Sequence, residues 1–170
     1  VGVAINVQPG PLFRFNSVSI LNTAPLTSDP DDFVAPPASR GFARGEIARS
    51  GSIVRAEALA LEAWRQQGFA KAVIASRDVV ADHASSTVDV TITVNPGREA
   101  AFGAVTVSGT ERMDPEFVRR QTGLAVGEEF DPDSVTRAQK RLDRLEVFRA
   151  ARLEAAESIG VDRLLPYNLI

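Results

Sequence analysis

The chain has no cysteine and only one histidine, one methionine, one tryptophan and one tyrosine in 170 residues. The absence of cysteine removes disulfides, thiolate metal sites and thiol catalysis together, and it fits a reducing or an oxidising compartment equally. A basic excess is also missing: 19 Lys and Arg face 22 Asp and Glu, for a net charge of -3. A protein built to neutralise nucleic-acid phosphates needs the opposite balance, so no nucleic-acid partner is expected. No apolar run approaches the roughly 20 residues that span a bilayer as a helix, and Val1 to Ile5 lacks the basic start of a signal peptide. No G-x-S-x-G, G-x-G-x-x-G, Walker A or H-E-x-x-H motif occurs, so neither an enzyme nor a cofactor is expected. What remains is an ordinary globular composition, 44% hydrophobic and 24% charged with 12 Gly and 10 Pro, long enough for one domain or two small ones.

A repeat decides between them. Val7, Pro9-Gly10, Phe15, Val18 and Ile20 recur 87 residues later as Val94, Pro96-Gly97, Phe102, Val105 and Val107, and Val3 and Ile5 fall on Val90 and Ile92. Further on, Gly51 is matched with Gly127 and Phe69 with Phe148, at offsets of 76 and 79, which leaves Asn22 to Arg40 as a surplus loop in the first copy. That loop holds Pro25, Pro30, Pro36 and Pro37 with Asp29, Asp31 and Asp32; such a composition builds no core and predicts a mobile segment. Its carboxylates lack the alternating ligands, central Gly and closing Glu of an EF-hand, so no metal is expected.

Local periods give the elements. Val88, Val90, Ile92 and Val94 alternate with polar residues, which predicts a strand buried on one face. Pro96-Gly97 suits a type II turn, and Phe102 to Ser108 follows as another strand. Asp114-Pro115 opens a short helix through Phe117 and Val118 that stops at Gly123. Asp131-Pro132 opens a longer one with Val135, Ala138, Leu142 and Leu145 on one stripe. In the first copy, Arg55 to Gln67 is the corresponding helix, closed by Gly68; Phe69 to Arg77 is then a strand leading through the turn at Asp82 to Ser85. The unit therefore reads strand, short helix, longer helix, strand, strand. The expected fold is α+β: tandem two-layer βααββ modules, each a three-stranded mixed sheet covered by two helices on one face. Residues 1–7 supply the last strand of a preceding unit, 8–96 a unit with the 22–40 insertion, and 97–170 a following unit truncated in its last strand. Tyr167 to Ile170 reaches only the beginning of that strand, so the chain reads as a piece of a longer one.

With Pro9-Gly10, Pro96-Gly97, Phe102-Gly103, Val105 to Gly109, Gly127, Asp131-Pro132, Gly68-Phe69 and Val147-Phe148 in this order, the chain resembles the POTRA domain of the BamA and TamA outer-membrane superfamily. The segments Trp64 to Ala70 and Leu164 to Pro166 look most like the second and third domains of the TamA branch; BamA and two-partner-secretion transporters share the pattern. The resemblance implies the periplasmic portion of an outer-membrane protein in a Gram-negative envelope, with a continuous C-terminal β-barrel outside this chain. It further implies unfolded outer-membrane or autotransporter proteins as clients and an inner-membrane-anchored partner of the TamB type. Clients would be received by β-augmentation and passed to the barrel; a structural spacer without client contact is the alternative.

In such domains the Val88 to Asn95 strand is central and the strand before it lies at an edge. Lys71 and Arg77 on the segment Phe69 to Arg77 are charges of the sort that blunt edges. The candidate edge residues are Ala70, Lys71, Ala72, Val73 and Ile74 in the first unit and Arg149, Ala151 and Leu153 in the second, and Pro at Val73 or Leu153 should disrupt client handling. Arg137, Lys140, Arg141 and Arg144 form a candidate basic surface, with a solvated helix face as the simpler reading. His83 is expected as a solvated turn residue, Trp64 as core, and Gly10 and Gly97 as turn glycines.

Overall fold

A computed structural model describes residues 10–108, 114–144 and 152–170. The strand expected in residues 1–7 lies outside them. Two three-stranded mixed sheets are present, joined by one short connection. In the first, β1 (Arg14–Leu21), β2 (Val73–Asp82) and β3 (Thr87–Asn95) are ordered β1-β3-β2; β3 is parallel to β1 and antiparallel to β2. In the second, β4 (Ala101–Val107), β5 (Leu153–Ala155) and β6 (Leu164–Leu169) are ordered β4-β6-β5 with the same directions. The alternation on β3 does what its pattern requires. Val88, Val90, Ile92 and Val94 are buried and Asp89 is exposed, and the helix α1 (Ser50–Arg65) brings Ile53 and Ala56 onto the same face.

The second unit carries two helices, α2 (Pro115–Thr122) and α3 (Pro132–Asp143). Both begin as the sequence dictates. Asp114 accepts the backbone N–H of Glu116, Asp131 accepts those of Asp133 and Ser134, and a Pro fills each first turn. Gly123 ends α2 at φ 63°. Val118, Leu142 and Leu169 form one buried cluster beneath them, beside a larger one containing Phe102, Phe130, Leu165 and Tyr167.

The repeat is stricter than the sequence reading made it. Gly45 N–H donates to the Phe15 carbonyl and Gly127 N–H to that of Phe102; Phe15 and Phe102 in turn donate to the carbonyls of Glu46 and Glu128. Ala48 and Phe130 complete the match by donating to the carbonyls of Phe13 and Ala100. Gly45, at φ 86°, is therefore the partner of Gly127, at φ 92°, and the match of Gly51 with Gly127 is corrected. Gly51 lies within α1 and needs no left-handed backbone. The offset thus falls only from 87 to 82, and it then holds through Gly41 with Gly123 and through the N-cap positions Arg49 and Asp131.

Three expectations shift accordingly. Residues 22–40 are no 19-residue surplus but stand in place of the short helix, with a 3-10 turn at Pro37–Arg40 where α2 has its last turn. The first unit therefore has one α-helix where two were expected, because its prolines deny the backbone N–H groups that a helix needs. The helix α1 starts at Ser50 rather than Arg55: its N-cap, Arg49, makes no side-chain capping bond and left no signal to read. The strand β6 begins at Leu164, three residues before Tyr167, and lies between β4 and β5.

Candidate functional site

Among the described residues, the longest exposed margin is the outer side of β2. Its ten residues pair with β3 on one side only, and from Ala75 to Asp82 every residue is exposed, including Val79 and Val80 at 47% and 65%. The strand outruns the core that supports it. It starts later than expected because Phe69 folds back, its N–H donating to the Trp64 carbonyl and its ring lying edge-on to the Trp64 indole at 4.8 Å. Ala70 and Lys71 then form a turn and Ala72 is buried. Of the five edge residues proposed in the first unit, only Val73 and Ile74 belong to the strand, and Ile74 packs inward on the core.

Charge guards this edge less than the sequence implied. Lys71 precedes the strand. The guanidinium of Arg77 turns toward α1, where it grips the carboxylate of Glu57 through Nε and Nη2. Glu57 is 7% exposed, on the stripe Ile53, Ala56 and Ala60, and this pairing offsets the cost of burying its charge. Bonding to Glu57 holds the Arg77 guanidinium above its ordinary value. Sequence reasoning missed Glu57, though its position in an apolar 3.6-residue period was visible. At the hairpin end, bonds from the Ser85 hydroxyl and the Ala84 N–H hold the Asp82 carboxyl below its ordinary value. His83 in that turn meets Phe13 edge-on at 5.3 Å.

The other margins are less open. Segments 45–48 and 127–130 run beside the starts of β1 and β4 through the hydrogen bonds described above, with bridges from Arg14 to Ile47 and from Ala101 to Glu129. The strand β5 is three residues long, and Gln139 of α3 reaches across to it: its Oε1 accepts the Leu153 N–H at 3.1 Å. Leu153 thus belongs to an edge whose first amide is occupied. Arg149 and Ala151 lie outside the described residues.

The basic stripe divides. Arg137 pairs with Asp131 at 2.9 Å and donates to the Ser134 hydroxyl, and Arg141 donates to the carbonyls of Gln121 and Thr122 at the end of α2. Arg141 thus ties α3 to the C-terminal end of α2, as a cation there does, while Arg137 braces the N-terminal turn of its own helix. Lys140 and Arg144 are the exposed remainder. Trp64 is half-buried rather than core, because its indole N–H donates to the Asn22 carbonyl at 2.8 Å. Gly97 sits at φ 75° as its turn requires, whereas Gly10 has open space around it. Among the described residues no group of three or more His, Asp or Glu is arranged to hold a metal ion, and no helix is long and apolar enough to cross a membrane.

Residues 100–162 match the model of the POTRA family, described as surface antigen variable number repeat. None of the curated proteins compared with the chain matches it. Among solved structures, the chain is similar to POTRA3-5 of BamA from Haemophilus influenzae, at 18% identity and a TM-score of 0.72, over 92% of this chain and 61% of that one. It is also similar to BamA from Haemophilus ducreyi lacking POTRA domains 1-3, at 14% identity and a TM-score of 0.64, over 92% and 29%. A third likeness is to POTRA1-2 of the periplasmic domain of Omp85 from Anabaena, at 11% identity and a TM-score of 0.50, over 94% and 95%. This chain spans less than two thirds of either BamA chain. The two sheets with their helices thus have the fold of tandem POTRA modules, and the POTRA family model matches within the second of them.

Proposed function

We propose that the chain is a periplasmic POTRA region of an outer-membrane assembly or translocation protein, with modules at 8–96 and 97–170, and that it receives extended client polypeptides by β-augmentation. The observation that carries this reading is the exposed outer margin of β2, Val73–Asp82. An added strand is held by main-chain hydrogen bonds and so tolerates many sequences. About five such bonds at roughly 1 kcal/mol each stand against an association cost of about 4–15 kcal/mol. Capture is therefore weak and reversible, as a relay requires. The clients would be unfolded outer-membrane or autotransporter proteins, the next station a barrel continuous with the chain, and a TamB-type partner would belong to the same scheme. The TamA-like assignment rests on Trp64 to Ala70 and Leu164 to Pro166 alone.

Leu153 is a poorer place for the proline test, since its N–H already serves Gln139. Consecutive N–H groups on a strand alternate between its two sides, so of Val79→Pro and Val80→Pro one spares the ladder to β3. The variant that keeps the native melting temperature should abolish the backbone-amide NMR shifts that outer-membrane-protein peptides cause along residues 73–82. Native protein showing no shifts there would favour the spacer reading. That reading has its own support, because Ala100 N–H donates to the Gly68 carbonyl at 2.9 Å and Ala70 packs on the second core, tying one module to the next.

A further inference from the structure

In the second unit α2 packs against α3; in the first, residues 22–36 cross the corresponding flank of α1 as proline-interrupted chain. Such a segment fills less space than a helix. A cleft of about 460 Å³ remains, walled by Leu59, Ala60 and Ala63 of α1, by Ile20, and by Leu26 and Phe33 of the crossing segment. Leu26 and Phe33 are 102% and 68% exposed, apolar surface that an occupant would withdraw from water. The walls are tied in place rather than adrift: Trp64 Nε1 donates to the Asn22 carbonyl at 2.8 Å and Gln67 Nε2 to the Pro25 carbonyl at 2.7 Å. At the far end the 3-10 turn delivers Phe42 into the first core.

The charge at the mouth has one sign. Asp32 lines the cleft with Asp29 and Asp31 close in sequence, and none of the three forms an ion pair with a described residue. Burial raises the Asp32 carboxyl, and the charges of Asp29, Asp131, Asp31 and Asp133 raise it further, Asp131 being the one of these that is paired with a cation, Arg137. A metal is not indicated, since no described cluster has the ligands for one. An anionic lipid headgroup would be repelled. Apolar walls beneath an uncompensated acidic rim fit an apolar side chain flanked by cations.

We propose that this cleft docks a cationic, apolar polypeptide segment of a partner protein, one aliphatic or aromatic side chain entering between α1 and the proline-rich segment while adjacent Lys or Arg residues face Asp29, Asp31 and Asp32. The site is separate from the β2 margin and stands or falls independently of client capture there.

Trp64, the only tryptophan, holds the start of the crossing segment through the Asn22 carbonyl, so its fluorescence reports on movement of that wall. A capped peptide Phe-Lys-Leu-Lys-Phe should saturate this signal and move amides in residues 24–37. Analogues with Glu for Lys, or with Ser for Phe and Leu, should bind at least about tenfold more weakly, a separation well within reach of one lost charge or apolar contact. Ala63→Leu fills the cleft and should cause a similar loss. Should that variant melt early, the surface triple Asp29→Asn, Asp31→Asn, Asp32→Asn decides instead: it should bring the Lys and Glu peptides to equal affinity. Equal binding of those peptides by native protein, shifts confined to 73–82, or tighter binding to phosphatidylglycerol vesicles than to the cationic peptide would each overturn the proposal.

Discussion

Tyr167 is the one tyrosine of the chain and is 3% exposed on the central strand of the second sheet, its ring 6.0 Å from that of Phe102. Burial pushes its hydroxyl up to about 12 from an ordinary 10.0. Folding therefore favours the neutral phenol; the resulting stability is complete below about pH 10 and is lost as pH rises through about 12, roughly 2–3 kcal/mol over that window. The tyrosinate absorbance of native protein should rise as one step displaced well above pH 10, and Tyr167→Phe should lose less stability over the alkaline range. A step near pH 10 with secondary structure intact would contradict the buried placement. At this scale the sequence was readable where pattern and chemistry agreed, as for Val90 and Ile92. It was opaque where a polar atom on an apolar face found a distant partner: Trp64 read as core until its indole met Asn22, and Arg77 read as an edge charge until it met Glu57.

Helix starts show why some elements were legible. Asp114-Pro115 and Asp131-Pro132 announce α2 and α3, whereas Arg49 begins α1 with no side-chain cap, so its first turn was invisible in the sequence. Burial alone would raise the Asp131 carboxyl, but bonds from the Ser134 hydroxyl and the Asp133 and Ser134 N–H groups, with Arg137 nearby, bring it below its ordinary value. A depressed carboxyl contributes stability that is present above its unfolded value, about 3.9, and is lost as pH falls through its folded value. Asp131→Ala should thus cost about 1 kcal/mol at neutral pH and less as the medium is acidified, as thermal melts in the two conditions would measure. A penalty unchanged in acid would mean that the cap acts through something other than its charge. Strand β2 was misplaced for a different reason: Phe69 folds back on Trp64 and the turn at Ala70 and Lys71 sets Ala70 against the neighbouring module's core, contacts that no local pattern records.

For the molecule as a whole, the duplicated plan was the most legible feature, and the hydrogen bonds of Gly45 and Gly127 make it more regular than residue matching had. The boundary at Pro96-Gly97 was legible, but the contacts across it were not. Gly68 sits there at φ 84°, its carbonyl accepting the Ala100 N–H, and a Cβ added to it would lie 3.0 Å from Glu129 Oε1. Gly68→Ala should therefore destabilise the chain by about 1–2 kcal/mol and change the small-angle scattering profile. Adding Glu129→Ala should recover only the part due to crowding, leaving the backbone strain. Recovery of the full loss would locate the whole effect in the side-chain clash. Finally, the carboxamide of Gln139 sits where a neighbouring chain's carbonyl would sit. A segment joining the second sheet on that flank would first have to evict a tenant, whereas among the described residues no side chain occupies the outer amides of β2, so the two flanks differ in what they would ask of a newcomer.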